Sequence, residues 1–461
     1  MTNKIPASVF KAYDIRGTLP EELNPEFAHQ LGLALAQHAQ SSGVTEIVIG
    51  YDGRSSSPAL AASLQQGIQQ GGINTIDIGL APTPLVYYAT HLLNTGSGVA
   101  ITGSHNPPDY NGFKIMLAGK TLYGKDIQAL RAAMLSPASN TTSHPGRGRK
   151  QDIAASYLDR ITRDIKLARP LRIAIDCGNG VGGVIAEQLF TALGCEVIAL
   201  YCDVDGRFPN HHPDPADPAN LQDLIHCVQA QRCDLGLAFD GDADRLGVVT
   251  RDGNIIWPDR QLILFAQDVL SRKKGATILY DVKCSRHVGK AIEEAGGQPL
   301  MWQTGHSLIK AKMTELNAPL GGEMSGHIFF KERWFGFDDG LYAGARLLEI
   351  LSRGNDASDI LNALPQDIST PELKIAMQEG EAQTVITQLQ QSGAFPTATS
   401  INTIDGVRAE YQNGFGLARA SNTTPVIVLR FEAQTHQGLS TIQTEFKTAL
   451  LMIKPDLALP F

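Results

Sequence analysis

Leu235-Gly236-Leu237-Ala238-Phe239-Asp240-Gly241-Asp242-Ala243-Asp244-Arg245 is an apolar run that passes straight into three alternating aspartates. Its first half has the length and character of a buried strand. In extended chain alternate residues face one side, so the three carboxylates are expected to converge, with Gly241 and Ala243 leaving the other side unobstructed. Three hard oxygen donors suit Mg2+, which completes an octahedral shell with water or phosphate. A calcium loop of the EF-hand type would need glycine at position 245 and glutamate at 251, where the chain has Arg245 and Arg251.

Working outward, the runs 46–52, 171–176 and 277–281 also close on an aspartate: Asp52, Asp176 and Asp281. Such runs alternate with amphipathic helical segments, which indicates α/β units. Asn24 is placed to cap a helix beginning at Pro25, with Phe27, Leu31 and Leu35 on one face. Ser57-Pro58 is expected to open a second helix in the same way, ended by Gly71-Gly72. Residues 136–150, rich in Ser, Thr, Gly and basic residues, read as a linker; further boundaries fall near 252–254 and 366–370. The expectation is three similar α/β units (1–150, 151–253 and 254–367) and a smaller α+β unit (368–461).

Composition narrows the class. With 461 residues, 43% hydrophobic and 19% charged, the chain is expected to be globular and multi-domain. A formal net charge of −8 argues against general nucleic-acid binding but leaves room for a local cationic cleft. No apolar run suits a signal peptide or a membrane span. The six cysteines form no Cys-x-x-Cys pair, so free thiols in a reducing cytosol are expected.

Other segments carry chemistry. Thr102-Gly103-Ser104-His105-Asn106-Pro107-Pro108 follows an apolar run and exposes a serine on a turn; the Gly-x-Ser-x-Gly elbow of acyl hydrolases is missing. His105, the immediate neighbour of Ser104, is not expected to act as its base. Gly178-Asn179-Gly180-Val181-Gly182-Gly183 satisfies Gly-x-Gly-x-x-Gly after a strand, and Asp203 follows 20 residues later, the context of a dinucleotide site. Asp176 would then stand near a pyrophosphate, so a structural glycine turn is preferred and a dehydrogenase is the alternative. Gly322-Glu323-Met324-Ser325-Gly326-His327 suits sugar hydroxyls, and Arg419-Ala420-Ser421-Asn422-Thr423-Thr424-Pro425 suits an anion. His211-His212-Pro213-Asp214 reads as a loop of unassigned role, because adjacent histidines in extended chain point apart.

Taken together with Phe10-Lys11-Ala12-Tyr13-Asp14-Ile15-Arg16-Gly17, these segments give the chain a resemblance to the α-D-phosphohexomutase family over essentially its whole length, with five motifs in the family's order. It looks closest to the bacterial phosphomannomutase/phosphoglucomutase branch. The resemblance implies three similar α/β domains and a smaller C-terminal α+β domain, TATA-box-binding-protein-like, around one deep cleft. It implies a cytoplasmic enzyme, monomeric by default, that interconverts the 1- and 6-phosphates of glucose and mannose through phosphoserine and a bound hexose 1,6-bisphosphate. Glucose 1,6-bisphosphate would serve as activator and intermediate.

Residue by residue, the resemblance makes Ser104 the phosphorylated residue and Asp240, Asp242 and Asp244 the Mg2+ ligands, joined by a phosphoserine oxygen. Lys114 and His306 become the acid/base pair, in an order left open. Arg16, Arg245, Tyr13 and Lys283 would line the cleft. Glu323, Ser325 and His327 would contact the sugar, and Arg419, Ser421, Asn422 and Thr423 the phosphate that stays put. Gly103 stands where the family commonly has alanine, a small-for-small change given little weight.

The chemistry demands local cations. Two dianions on opposite sides of a sugar ring, ~8 Å apart, would repel by about 8 kcal/mol at an effective dielectric of ~20. Mg2+ with Arg16, Lys114, Arg245, Lys283 and Arg419 would offset that repulsion.

Overall fold

The computed structural model describes residues 5–136 and 142–461, and four sheets organise it. Three follow one plan. In the first, strand Glu46–Tyr51 lies between the parallel strands Asn74–Leu80 and Gly98–Ile101, and Tyr110–Leu117 returns antiparallel against the latter. In the second, Arg172–Asp176 lies between Glu196–Leu200 and Leu235–Phe239, with Leu246–Thr250 returning. In the third, Thr277–Asp281 lies between Gln298–Trp302 and Leu320–Gly322, with Ile328–Phe330 returning. The expected likeness of the three units therefore extends from their aspartate endings to strand order and direction.

Parallel neighbours need a crossover, and a helix supplies each one. Ser57–Gln70 and Thr83–Leu92 serve the first sheet, Ala186–Ala192 and Gln222–Ala230 the second, and Arg286–Glu294 and His306–Leu316 the third. Helices on both faces explain why every residue of Leu235–Phe239 is apolar or glycine and buried. The fourth unit is different: a wholly antiparallel sheet ordered Ile368–Ser369, Val426–Ala433, Gly414–Ala420, Val407–Tyr411, Ser400–Asn402. Helices Glu381–Gln391 and His436–Ile453 close its core around Ile386, Phe431, Phe446 and Leu450.

Local signals were obeyed with one exception. Asn24 caps Pro25–Ser41 through its side chain, which accepts from the Phe27 N–H at 3.0 Å, and Phe27, Leu31 and Leu35 are buried. Ser57 does begin its helix, but its hydroxyl donates to the Asp52 carboxylate at 2.6 Å and caps nothing. A buried carboxylate is the stronger acceptor. Of the expected linker, residues 137–141 lie outside the described residues, while Gly148–Lys150 adds a strand parallel to Asn74–Leu80. No helix among the described residues is long and apolar enough to cross a membrane.

One aromatic triangle ties the first three units. Tyr88, Tyr157 and Trp334, one from each, have ring centroids 5.4, 5.7 and 5.9 Å apart. The Tyr157 hydroxyl donates to Asp339 at 2.9 Å. In each of these units the turn between the third strand and its antiparallel return carries the candidate residues: 102–109, 240–245 and 323–327. In the fourth unit the hairpin turn 421–425 does the same.

Candidate active site

Ser104 is held in a left-handed conformation, φ +48°, by a frame of buried groups. Its N–H donates to Thr102 Oγ1 at 2.8 Å, and the Gly103 N–H donates to Asp52 Oδ2 at 3.1 Å. Arg54 completes the frame. Its guanidinium donates to the carbonyls of Ser104 (2.9 Å), Asn106 (2.6 Å), Tyr110 (3.0 Å) and Pro107, and its Nε to Asp52 at 3.1 Å. Sequence reasoning missed Arg54; the available signal was a charged Asp52-Gly53-Arg54 at the mouth of a buried strand. Gly103 also matters more than a small-for-small exchange: a Cβ there would lie 2.4 Å from Arg54 Cζ.

The aspartates converge as expected, but for another reason. Residues 240–245 form a turn with Ala243 at φ +58° and the Ala243 N–H donating to the Asp240 carbonyl at 3.0 Å. The turn, rather than strand alternation, brings one oxygen of each of Asp240, Asp242 and Asp244 within 4.8 Å of the others. Nor is the opposite side open. A Cβ on Gly241 would sit 2.2 Å from the Ser104 carbonyl oxygen, so the two functional turns touch through backbone. Gly241→Ala is therefore expected to push them apart and cut activity roughly 100-fold with little change in KM, read by steady-state kinetics.

The glycine motif supports this turn from behind. The Val181 N–H donates to the Gly241 carbonyl at 3.0 Å, and Cβ atoms on Gly180 and Gly182 would meet Gly241 O at 2.8 Å and Ala243 Cβ at 2.9 Å. It is a structural turn filled by neighbouring backbone, which leaves the dehydrogenase reading without a phosphate cradle. The 211–214 loop gains a role too. His211 bonds Asp176 at 2.9 Å, Pro213 packs on Gly178 and Gly241, and Asp214 lies 3.3 Å from Arg245.

Electrostatics concentrate here. Ser104 Oγ donates to Asp240 Oδ2 at 3.0 Å and lies 3.1 Å from His105 Nδ1, so His105 does reach the serine, contrary to expectation. The left-handed backbone at Ser104 turns the two side chains together. Burial, with Arg245 beside it, holds His105 far below the ordinary imidazole range. Arg245 Nε donates to Asp240 at 3.0 Å. Burial, opposed by Arg245 and reinforced by Asp244 and Asp242, pushes the Asp240 carboxyl up to about 7. Lys114 Nζ bridges Asp242 at 2.7 Å and Asp244 at 2.5 Å. Burial would lower the Lys114 ammonium, but Asp242 and Asp244 hold it well above its usual value. Burial alone would raise Asp242; Lys114 and the Thr83 hydroxyl, 2.6 Å away, hold it below the carboxylate range.

Asp242 Oδ1 and Asp244 Oδ1 are buried without a hydrogen-bond partner among the described residues. Orphaned carboxylate oxygens in an all-oxygen cluster suit a hard divalent cation.

The third turn faces the second. His327 Nδ1 lies 3.2 Å from Asp338 Oδ2 and 3.6 Å from Asp244 Oδ1. His306, first residue of His306–Leu316, places Nδ1 3.7 Å from Asp338 without a hydrogen-bond partner, and Lys310 donates to Asp338 at 2.8 Å. Neither Lys310 nor Asp338 was singled out in the sequence, where they lie in unrelated segments. Glu323 accepts from the Gly305 N–H at 2.5 Å and lies 3.3 Å from the Ser325 hydroxyl.

At the fourth turn Asn422 donates to the Tyr13 hydroxyl, which donates to the Thr304 carbonyl at 2.6 Å. Arg419 Nε pairs with Asp405 at 2.9 Å, while a terminal guanidinium nitrogen is buried with no partner. Ser421 Oγ lies 3.4 Å from the Thr423 hydroxyl. Lys283 pairs with Glu372 at 2.6 Å, and Arg16 with Asp14 at 2.5 Å and Asn106 at 2.6 Å. The predicted residues thus fall into two linked groups. Ser104, Lys114, Arg245, His327 and the aspartates form one, and in the other Tyr13 bridges Thr304 and the fourth turn.

Family models for phosphoglucomutase/phosphomannomutase match all four units: α/β/α domain I over residues 7–140, domain II over 155–253, domain III over 257–368, and the C-terminal domain over 372–449. The chain belongs to the phosphoglucomutase/phosphomannomutase family. Among similar curated members, a Pseudomonas aeruginosa phosphomannomutase/phosphoglucomutase is 53% identical over 99% of this chain and 98% of its own. A Neisseria meningitidis phosphoglucomutase is 54% identical over 99% of both. The crystal structure of a phosphoglucomutase/phosphomannomutase family protein from Burkholderia thailandensis superposes with a TM-score of 0.95 at 51% identity, over 99% of this chain and 100% of that one.

Proposed function

We propose that this family member is a mutase in which Ser104 carries the phosphoryl group passed between the 1- and 6-positions of glucose and mannose phosphates. The observation that carries this reading is the 3.0 Å hydrogen bond from Ser104 Oγ to Asp240, the first aspartate of the acidic turn. A nucleophilic oxygen beside a carboxylate triad is the arrangement phosphoryl transfer needs. The units follow the boundaries 1–150, 151–253, 254–367 and 368–461, each contributing one turn.

Asp240, Asp242 and Asp244 would hold Mg2+, with a phosphoserine-104 oxygen as a further ligand. When bound, the metal supplies positive charge that stabilises the phosphoryl oxygens in transfer. Arg245, fixed on Asp240, faces the same oxygens, and Arg16 guards the approach from Asn106. Lys114, which already donates to two carboxylates, and His306 would form the acid/base pair, in an order left open. His306 Nδ1, without a hydrogen-bond partner among the described residues, can take or give the substrate hydroxyl proton. His327, against Asp244 and Asp338, would contact the sugar. Phosphoserine gives its phosphoryl group to the free hydroxyl, the hexose 1,6-bisphosphate turns over, and its other phosphoryl group returns to Ser104.

Arg419, with its unpartnered nitrogen, joins Ser421, Asn422, Thr423, Tyr13 and Lys283 around the phosphate that is not transferred. Glu323 and Ser325 contact the sugar. A half-turn of the bisphosphate roughly exchanges its 3- and 4-hydroxyls, so two adjacent acceptors can read both poses. Glucose and mannose are identical there. Galactose differs at C4, and galactose 1-phosphate is expected to turn over at least ~100-fold less efficiently, measured as kcat/KM.

The reading is tested by supplying glucose 1-phosphate and mannose 1-phosphate with Mg2+ and trace glucose 1,6-bisphosphate, then mapping the phosphopeptide. Conversion of both sugars with phosphate on Ser104 supports it. Well-folded protein that turns over neither sugar, or carries phosphate elsewhere, overturns it. The mannose arm is informative because one relative at 53% identity is named phosphomannomutase/phosphoglucomutase and another at 54% phosphoglucomutase alone.

A further inference from the structure

In the second unit Cys202 Sγ lies 3.5 Å from Cys177 Sγ. We propose that these two cysteines form an oxidation site, where peroxide drives a disulfide that disturbs the aspartate turn resting on them.

A disulfide bond is about 2.05 Å long, so the sulfurs need to close by roughly 1.5 Å. The backbone brings them together from adjacent strand ends. Cys177 follows Arg172–Asp176 and Cys202 follows Glu196–Leu200, which pair in parallel, and the Cys177 N–H donates to the Leu200 carbonyl at 3.2 Å. Cys202 lies past the regular ladder, separated from Leu200 by Tyr201 at φ +51°, while Cys177 directly follows Asp176. Cys202 can therefore move toward Cys177 without tearing a strand hydrogen bond of its own.

Of the six cysteines, Cys202 alone is partly exposed; the others are buried. The hydrogen bond from Cys202, then burial, hold the Cys177 thiol well above its ordinary range, so Cys202 meets the oxidant first. Its thiolate attacks peroxide, the O–O bond breaks, and Cys202 becomes a sulfenic acid as hydroxide leaves and takes up a proton. Cys177 sulfur then attacks Cys202 sulfur. The S–O bond breaks, the S–S bond forms, and the Cys177 proton leaves with hydroxide as a second water. Two electrons have passed from the thiols to one peroxide, and any dithiol reductant reverses the change.

The consequence follows from packing. A Cβ on Gly183 would lie 1.9 Å from the Cys202 carbonyl oxygen, and the Gly180 N–H donates to the Cys177 carbonyl at 2.7 Å. The two cysteines flank the glycine turn whose Val181 N–H holds Gly241. There is no slack between that turn and Gly241, so drawing the sulfurs together shifts the aspartates.

The test treats the full-length protein with hydrogen peroxide, then maps peptides without reduction and assays turnover before and after dithiothreitol. The expected result is a Cys177–Cys202 linked peptide, at least a several-fold loss of activity, and recovery on reduction. Cys202→Ser and Cys177→Ala should each remain active and lose the effect. A stable sulfenic acid at Cys202 without linkage overturns the proposal, as does a linkage that leaves activity unchanged. The activity arm rests on the mutase reading; the linkage arm does not, so failure of one is distinguishable from failure of the other.

Discussion

Ser104→Ala is expected to lower kcat for glucose 1-phosphate roughly 10⁵-fold while the protein melts within a degree or two of wild type. The side chain that would carry the phosphoryl group is gone, and no neighbour can stand in. His105 and Asp240 both lie beside Ser104 Oγ, but each is already engaged by the Arg245 guanidinium. A loss of that size corresponds to about 7 kcal/mol of transition-state stabilisation. The structural loss is one hydrogen bond to a carboxylate, about 1–2 kcal/mol at most. Kinetics and a melting curve on the same preparation separate the two. A mutant retaining a tenth of wild-type activity would remove Ser104 from the mechanism.

Lys114→Met should have the second-largest effect, and on two scales. Without the ammonium, Asp242 and Asp244 face each other fully buried with no cation between them. Breaking a buried pair in this way costs about 3–5 kcal/mol, so in EDTA the variant should melt several degrees below wild type. Mg2+ should restore more stability to the variant than to wild type, because in wild type Lys114 already offsets part of the charge of Asp242 and Asp244 and competes for them. Activity should stay about 10³-fold low even when the metal has restored the fold, since one member of the proposed acid/base pair is lost. Equal melting of the two proteins in EDTA would show that the Lys114 bridge contributes nothing.

Much of the architecture was legible because it depends on local pattern. Leu235–Phe239 reads as a buried strand from its composition, and Asn24-Pro25 as a helix start from its side-chain chemistry. The positions of Ser104, the aspartates, Glu323 and Arg419 were legible as motifs. Their geometry was not. The aspartates converge on a turn with a left-handed Ala243, which strand alternation could not foretell, because the turn is shaped by contacts with Val181 and Ser104 from other segments. His105 was set aside for its adjacency to Ser104, yet a positive φ brings the two side chains together. Arg54, Lys310 and Asp338 acquire meaning mainly through distant partners: Arg54 through carbonyls 50 or more residues away, Lys310 and Asp338 through each other, 28 residues apart. Long-range pairing is the part of the fold that single-residue patterns do not encode.

The repeated hairpin has an ancestral consequence. A polypeptide that copied one such unit three times would begin with three interchangeable turns aimed at a common centre. Divergence at those turns alone would then suffice for a division of labour: nucleophile in the first copy, cation cage in the second, sugar reader in the third. The scaffold strands could stay under selection for packing while each turn was free to specialise. Substrate range in such a lineage can drift by altering the third or fourth hairpin, with the phosphoryl-carrying chemistry of the first two left intact.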